Sequence, residues 1–253
     1  MKVGVIGVGT VGKPLYEALK YYHGDEVYGY DVKNKINTFE EILTRDLVFI
    51  CVPTDSGDDG RLDMSIIDSV LEKLAEADYN GIVVIKSTMR LGYINKTIIK
   101  YAFSILVFPE WLTALNAFPD TLKPEMTVIG AEDANVCLVD KVLEACPWHK
   151  NTDGCVFQPE EAVMIKLTAN ALASTKISFA NQIKHICNKH DINVHAVMGK
   201  IKTDPRCAPR YLNPGGSYSG YCLPKDTLEL ECSCDETYLL KGVRKVNERN
   251  EDW

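Results

Sequence analysis

The grouping with the most chemical content is Ser219-Gly220-Tyr221-Cys222-Leu223-Pro224-Lys225-Asp226. A thiol follows a small, flexible lead-in and precedes a helix start. Pro224 suits a first helical turn, where its missing N–H costs nothing. On such a turn Lys225 at i+3 and Asp226 at i+4 share the face that carries Cys222. A helix N-terminus and a neighbouring ammonium both favour the thiolate, which would be nucleophilic near neutral pH. The same residues also suit a buried structural cysteine, since free cysteine is among the most buried residue types. A second pair, Lys166 and Asn170, stands at i and i+4 and so on one helix face. Facing a cleft, the pair would bind a substrate oxygen; facing water, it is an ordinary polar surface.

These groups need elements to hold them. Residues 2–6 form an apolar run that reads as a buried parallel strand. Gly7-Val8-Gly9-Thr10-Val11-Gly12 follows, then an amphipathic helix with Leu15, Ala18 and Leu19 on one face. A second strand, 26–30, ends at Asp31. Strand, glycines, helix, strand and terminal acid make up the dinucleotide fingerprint. Gly7 would make the tight turn, Gly9 would let backbone approach a pyrophosphate, and Gly12 would let helix and strand pack closely. The helix N-terminus would face the phosphates. Asp31 would accept from ribose hydroxyls and so favour NAD over NADP, with Lys33 tempering that preference.

Further apolar runs at 46–52, 82–85 and 104–108 read as parallel strands, with a helix over about 64–77. Thr54 and Thr88 follow two of them, where open parallel sheets bind ligands; each also fits a plain helix N-cap. A helix over 133–145 and a short strand near 148–150 would complete the sheet. From Glu160 to Lys189 there is no Gly or Pro and the apolar period is helical. That predicts a helix of ~30 residues and ~45 Å. The expected fold is therefore α/β: a doubly wound, Rossmann-like parallel sheet over 1–158, then a helical region over 159–253 that begins with the long helix and carries the thiol.

Composition narrows the function. The 253 residues carry a formal charge of −7 without a long basic run, which argues against nucleic acid or an anionic membrane as partner. No stretch of 18 apolar residues occurs, and glycines and Pro14 interrupt the apolar N-terminus. The nine cysteines are scattered without paired spacing, as in a reducing compartment, so a cytoplasmic location is expected. Cys232 and Cys234 form a lone CxC, too few ligands for a metal site. No metal is expected.

Seven motifs in order resemble the UDP-glucose/GDP-mannose dehydrogenase family. They are residues 5–14 around the glycines, Cys51-Val52-Pro53-Thr54, Lys86-Ser87-Thr88, Pro109-Glu110-Trp111-Leu112, Lys166-Leu167-Thr168-Ala169-Asn170, Asp204-Pro205-Arg206 and Gly220 to Asp226. The resemblance implies NAD held by Gly7, Gly9, Thr10, Val11, Gly12, Asp31, Lys33, Val52, Pro53, Thr54, Thr88 and Lys225. It implies Cys222 as nucleophile, with Lys166, Asn170 and Asp226 holding the reacting oxygens and a water, and Thr88 and Glu110 assisting proton transfer. Substrate would meet Glu110, Trp111, Leu112, Lys166, Asn170, Tyr211, Gly220 and Cys222, and Arg206 would reach into the neighbouring subunit of a homodimer. The implied reaction is two-step oxidation of the C6 alcohol of a nucleotide sugar, UDP-glucose to UDP-glucuronate foremost. The sequence departs from the family at Ser219, Arg90 and Ala114, and the family's C-terminal nucleotide-sugar-binding domain is expected to be absent. Two other readings stand beside this one: a non-catalytic dinucleotide-binding module, and a one-step hydroxyacid dehydrogenase that uses only Lys166 and Asn170.

Overall fold

The computed structural model describes residues 1–34, 36–149 and 153–250. Four-residue strands form where the sequence runs apolar: β1 Val3–Ile6, β2 Val27–Tyr30, β3 Leu47–Ile50, β4 Ile82–Ile85 and β5 Ser104–Val107. Every residue of β1, β3 and β4 is buried, which is why these runs do not alternate. Two short strands, β6 Ile129–Gly130 and β7 Val156–Phe157, complete a seven-stranded sheet in the order β2-β1-β3-β4-β5-β6-β7. It is Rossmann-like and mostly parallel. Val3 lies in register with Val27 on one side and Leu47 on the other, and among the described residues of this sheet the β5–β6 pairing alone is antiparallel.

The order reverses at β1: the chain goes to β2 on one side and to β3 on the other. Such a switch point opens a crevice beyond the strands' carboxyl ends. Among the described residues, the helices that belong with the sheet are α1 Gly12–His23, α2 Phe39–Ile42, α3 Ser65–Glu76, α4 Ile94–Ile98, α5 Ala117–Leu122 and α6 Val139–Ala145. α1 buries Pro14, Leu15, Ala18 and Leu19, the apolar face legible in the sequence. α2 is a single turn made possible by a capping box between Thr38 and Glu41.

Two expectations need correction here. The predicted helix over 133–145 is a 3-10 segment, Asp133–Leu138, followed by α6. The strand expected near 148–150 is not formed by Trp148 or His149, and Lys150 lies outside the described residues. The last strand is Val156–Phe157. Trp148 is buried in the core of the sheet unit, its ring 5.4 Å from that of Tyr22, and this burial rather than strand alternation accounts for it.

The remaining helices are α7 Pro159–Lys189, α8 Val194–Ile201, α9 Cys222–Glu231 and α10 Tyr238–Arg249. α7 has 31 residues: Pro159 opens it and Glu160–Lys189 contains no Gly or Pro. The chain divides into two compact units, Met1–Asp55 with Asp63–Lys166, and Ser56–Leu62 with Leu167–Trp253. The second unit has its own small core of Ala180, Cys187, Val194, Met198 and Leu212. Asn181 accepts from the Gly215 N–H at 2.8 Å and donates to the Gly216 carbonyl at 3.0 Å, which fixes the loop before α9. The loop Ser56–Leu62 is pinned to α9: Arg61 Nε and Nη2 donate to Glu229 Oε1 at 2.9 and 2.7 Å, and the Leu62 N–H to Oε2 at 2.8 Å. Among the described residues no helix is long and apolar enough to cross a membrane.

Candidate active site

The β1–α1 turn has the form a dinucleotide needs. Gly7 has φ +88°, and a Cβ there would strike the Cys51 carbonyl; a Cβ on Gly12 would strike the Gly7 carbonyl. Only glycine fits both positions. At Gly9 a Cβ would meet nothing within 4 Å, and Gly9 and Thr10 are exposed, so the turn leaves room for a phosphate against backbone. Val11 is half-buried and leads into α1. Asp31 ends the β2 segment. Its Oδ2 accepts from the Val8 N–H at 2.8 Å, and its Oδ1 from the N–H groups of Lys33 and Asn34 at 2.8 and 3.0 Å. Burial pushes its carboxyl up, but these donors outweigh that and hold it below the ordinary range. Asp31 thus ties the second strand to the glycine turn while its carboxylate stays charged. Lys33 is exposed beside it. Val52, Pro53 and Thr54 follow β3, with Thr54 buried, and the half-buried Thr88 follows β4. These residues all lie beyond the carboxyl ends of parallel strands, and the turn fits NAD.

Glu110, Trp111 and Leu112 follow β5 and are half-buried. Glu110 Oε2 lies 3.1 Å from Lys86 Nζ, and its Oε1 accepts from the Trp111 N–H at 2.8 Å. Lys166, buried on α7, donates from Nζ to the Glu110 carbonyl at 2.5 Å and sits 5.0 Å from the centre of the Trp111 ring. Burial pushes the Glu110 carboxyl up, yet the Lys86 ammonium, the Trp111 N–H and Lys166 together hold it below the usual range. Behind this pair, burial pushes the thiols of Cys51 and Cys146 up to about 12, so they stay protonated.

His149 is also packed here, its Nδ1 2.9 Å from Thr127 Oγ1 and its ring 4.8 Å from that of Phe108. Burial, helped by the charge of Lys86, drives its imidazole down to about 3 from 6.5. The folded chain therefore keeps His149 neutral while the unfolded chain protonates it below about pH 6.5. The stability is complete above that pH and is lost progressively as pH falls toward 3, at about 1.4 kcal/mol per unit. Urea unfolding at pH 7 and pH 5 should show a smaller loss on acidification for His149→Gln than for the parent. Equal losses in the two proteins would remove this account.

In the second unit Cys222 is the first residue of α9 and is exposed. One turn on, Asp226 is fully buried. Its Oδ2 accepts from Asn170 Nδ2 at 2.6 Å and its Oδ1 from Lys225 Nζ at 2.7 Å. The Lys225 ammonium also sits 5.3 Å from the centre of the Tyr221 ring. Gly220, with φ +82°, sets the turn before the helix. The structure thus brings Asn170, Lys225 and Asp226 together one turn past an accessible thiol. Arg206 and Tyr211 instead engage their own sequence neighbours: Arg206 is 87% exposed and bonds Asp204, and the Tyr211 ring carries the Arg210 guanidinium at 5.2 Å.

Lys86 is the residue that site reasoning from sequence missed. The available signal was a lysine directly ending a fully apolar strand, where a buried ammonium demands an acid nearby. The Arg61–Glu229 pair carries no sequence signal, since 168 positions separate its members.

Residues 33–145 match the NAD binding domain of the UDP-glucose/GDP-mannose dehydrogenase family, and residues 160–251 match its central domain. The chain is 30% identical to a UDP-glucose 6-dehydrogenase of Campylobacter jejuni over 216 residues, which cover 84% of this chain and 55% of that protein. It is 30% identical to the UDP-glucose 6-dehydrogenase AglM of Haloferax volcanii over 255 residues, covering 92% and 58%. The chain thus spans about half the length of the curated relatives it matches. Among solved structures, a UDP-glucose dehydrogenase from Pyrobaculum islandicum superposes with a TM-score of 0.83 at 25% identity, covering 97% of this chain and 67% of that one. A GDP-mannose dehydrogenase from Pseudomonas aeruginosa gives 0.72 at 26%, covering 100% and 69%. With both domain matches in place and a glycine turn shaped for NAD, the chain belongs to the UDP-glucose/GDP-mannose dehydrogenase family of NAD-dependent oxidoreductases.

Proposed function

We propose that this chain carries the two-step oxidation of the C6 alcohol of a nucleotide sugar, UDP-glucose to UDP-glucuronate first among the candidates. The observation that carries the reading is Cys222, an exposed thiol opening α9, one turn before a buried Asp226 that is bonded to Asn170. The relatives named UDP-glucose 6-dehydrogenase support glucose as the sugar. Residues 1–158 would form the cofactor domain and 159–253 the domain carrying the thiol.

In this reading the glycine turn, Asp31, Lys33, Val52–Thr54, Thr88 and Lys225 would hold NAD, and two NAD in succession would supply the acceptors for the two hydrides removed from the sugar carbon. The residues of the chain handle the rest. Lys166 and Asn170 hold the reacting oxygen as it becomes an oxyanion, a contribution of ~3–4 kcal/mol per donor. The Cys222 thiolate adds to the aldehyde carbon and the oxygen gains a proton, giving a thiohemiacetal. Loss of a hydride and a proton converts that to a thioester. Water cleaves the C–S bond, releasing the acid and the thiol. The proton lost by that water goes to one carboxylate, for which Glu110 and Asp226 are the two candidates, with Thr88 alongside. Trp111, Leu112, Tyr211 and Gly220 complete the substrate contacts.

The test is NADH appearance in single turnover with NAD and UDP-glucose, with GDP-mannose and UDP-N-acetyl sugars in parallel. Two NADH per sugar consumed would support the reading and one would support a one-step dehydrogenase. None, with NAD still bound, would support a dinucleotide-binding module.

The cytoplasm is the proposed location, on the strength of free thiols throughout the described residues. The proposed assembly is a homodimer through α7. Leu172, Phe179 and Ile186 are exposed and recur every seven residues, a stripe suited to a second copy. Arg206, exposed on its loop, would then serve the partner's substrate. Phe179→Glu should convert a dimer to a monomer in sedimentation equilibrium while leaving NAD binding unchanged. A monomeric parent, or a variant that still pairs, would count against α7 as the interface.

A further inference from the structure

Lys86 closes β4 and is 4% exposed. Its Nζ donates to the Phe108 carbonyl at 3.2 Å, lies 3.1 Å from Glu110 Oε2 and sits 4.1 Å from the centre of the Phe108 ring. A single buried ammonium therefore spans the backbone just past β5 and the carboxylate two residues on. A lysine is costly in such a place unless it is paired, and the carboxylate supplies that pairing. The groups that face Glu110 from other elements are Lys86 after β4, Lys166 on α7, Cys51 after β3, Cys146 after α6, and His149. The two thiols stay protonated and the imidazole stays neutral. The positive charge opposite the carboxylate thus comes from the lysines, and Lys86 contacts it directly while Lys166 bonds to the Glu110 main chain.

We propose that Lys86 is a positioning residue for Glu110: its ammonium clamps the carboxylate to the end of β5 and holds it as a fixed, charged acceptor for the proton of a reacting water or alcohol. The inference rests on the proposed oxidation for its catalytic consequence, while the clamp itself is a property of the first unit alone. Without Lys86, Glu110 keeps the Trp111 N–H but loses the partner that offsets its burial. It should then take up a proton at higher pH and cease to be an acceptor at the acid end of the activity range.

Four proteins test this: the parent, Lys86→Met, Glu110→Gln and the double variant, which leaves neither charge buried. Turnover with NAD and the active nucleotide sugar is measured across pH. In parallel, the Glu110 carboxyl carbon is titrated by NMR, assigned by its loss in Glu110→Gln. Lys86→Met should lower kcat roughly tenfold or more with KM within about twofold. Its acid limb should move to higher pH, and the Glu110 signal should titrate at higher pH than in the parent. In the Glu110→Gln background Lys86→Met should cost nothing further. That comparison also holds the test if Lys86→Met alone does not fold. Multiplying losses in the double variant, or an unmoved Glu110 titration, would overturn the clamp. If the parent turns over no nucleotide sugar, the functional reading falls, and the NMR titration by itself decides for or against the clamp.

Discussion

Cys222→Ser should lower the rate of acid formation by about 10³-fold or more and yield at most one NADH per site in a single turnover. The reason lies in the second hydride. An aldehyde carbon has no hydride to give until an adduct makes it tetrahedral, and a serine hydroxyl with an ordinary pKa is a poor nucleophile beside a thiolate. Cys222 is exposed at the start of α9, so serine there costs little packing, and serine tolerates a helix start. The folded structure and NAD affinity should be unchanged. Cys137 and Cys234 are the matched controls: both are exposed, neither lies beside Asn170 and Asp226 in the proposed chemistry, and their serine variants should keep full activity. Two NADH per sugar from Cys222→Ser at an undiminished rate would end the covalent mechanism. Mild alkylation gives a parallel readout, since Cys51 and Cys146 are buried with thiols held protonated and should resist a reagent that modifies Cys222.

The second large effect concerns stability. Glu229 is fully buried and accepts from Arg61 and from the Leu62 N–H. Glu229→Ala leaves a guanidinium and a backbone donor without their carboxylate, and the cost expected for breaking such a pair is about 3–5 kcal/mol. The urea transition of the unit that holds α9 should move to markedly lower denaturant. Replacing both members with apolar residues, Arg61→Met with Glu229→Leu, should recover most of that loss, because no lone charge then remains buried. A single variant as stable as the parent would show that water reaches the pair in solution. The double variant asks a separate question of function: if the loop's place against α9 matters to the thiol, turnover should fall although stability returns.

The parts of this fold legible in the sequence are those where one physical rule dominates. Fully buried parallel strands read as continuous apolar runs, and β1, β3 and β4 are such runs. A helix free of Gly and Pro for thirty residues has little else to become, and α7 spans Pro159–Lys189. The glycine turn was legible because Gly7 and Gly12 each answer a clash that any side chain would create. Where a local pattern is weak, reading failed. β7 has two residues, one of them exposed, and no alternation can be seen over that length. Trp148 drew the last strand to the wrong place because bulk, not strand geometry, buries it. α2 rests on the Thr38–Glu41 capping box and α8 on the Asn193 cap, and each helix is too short to show a clear period. Motif matching named Cys222, Asp226, Asn170, Lys166 and Glu110 as candidates. It could not show that Asn170 bonds Asp226 directly, nor that Lys86 supplies the charge opposite Glu110, because both facts depend on side-chain directions.

The loop Ser56–Leu62 also sets an order of events during synthesis. It is made early, yet the carboxylate it grips belongs to a residue 167 positions later. On a ribosome adding about 5–20 residues per second, the strands flanking this loop are made roughly 7 to 30 seconds before Glu229 appears. Through that interval Arg61 has no Glu229 to pair with. A fragment beginning at Leu167 would lack Arg61 and Leu62 and hold Glu229 without them. The thiol-bearing unit is therefore discontinuous, and cutting the chain at the obvious place within α7 removes part of its interior.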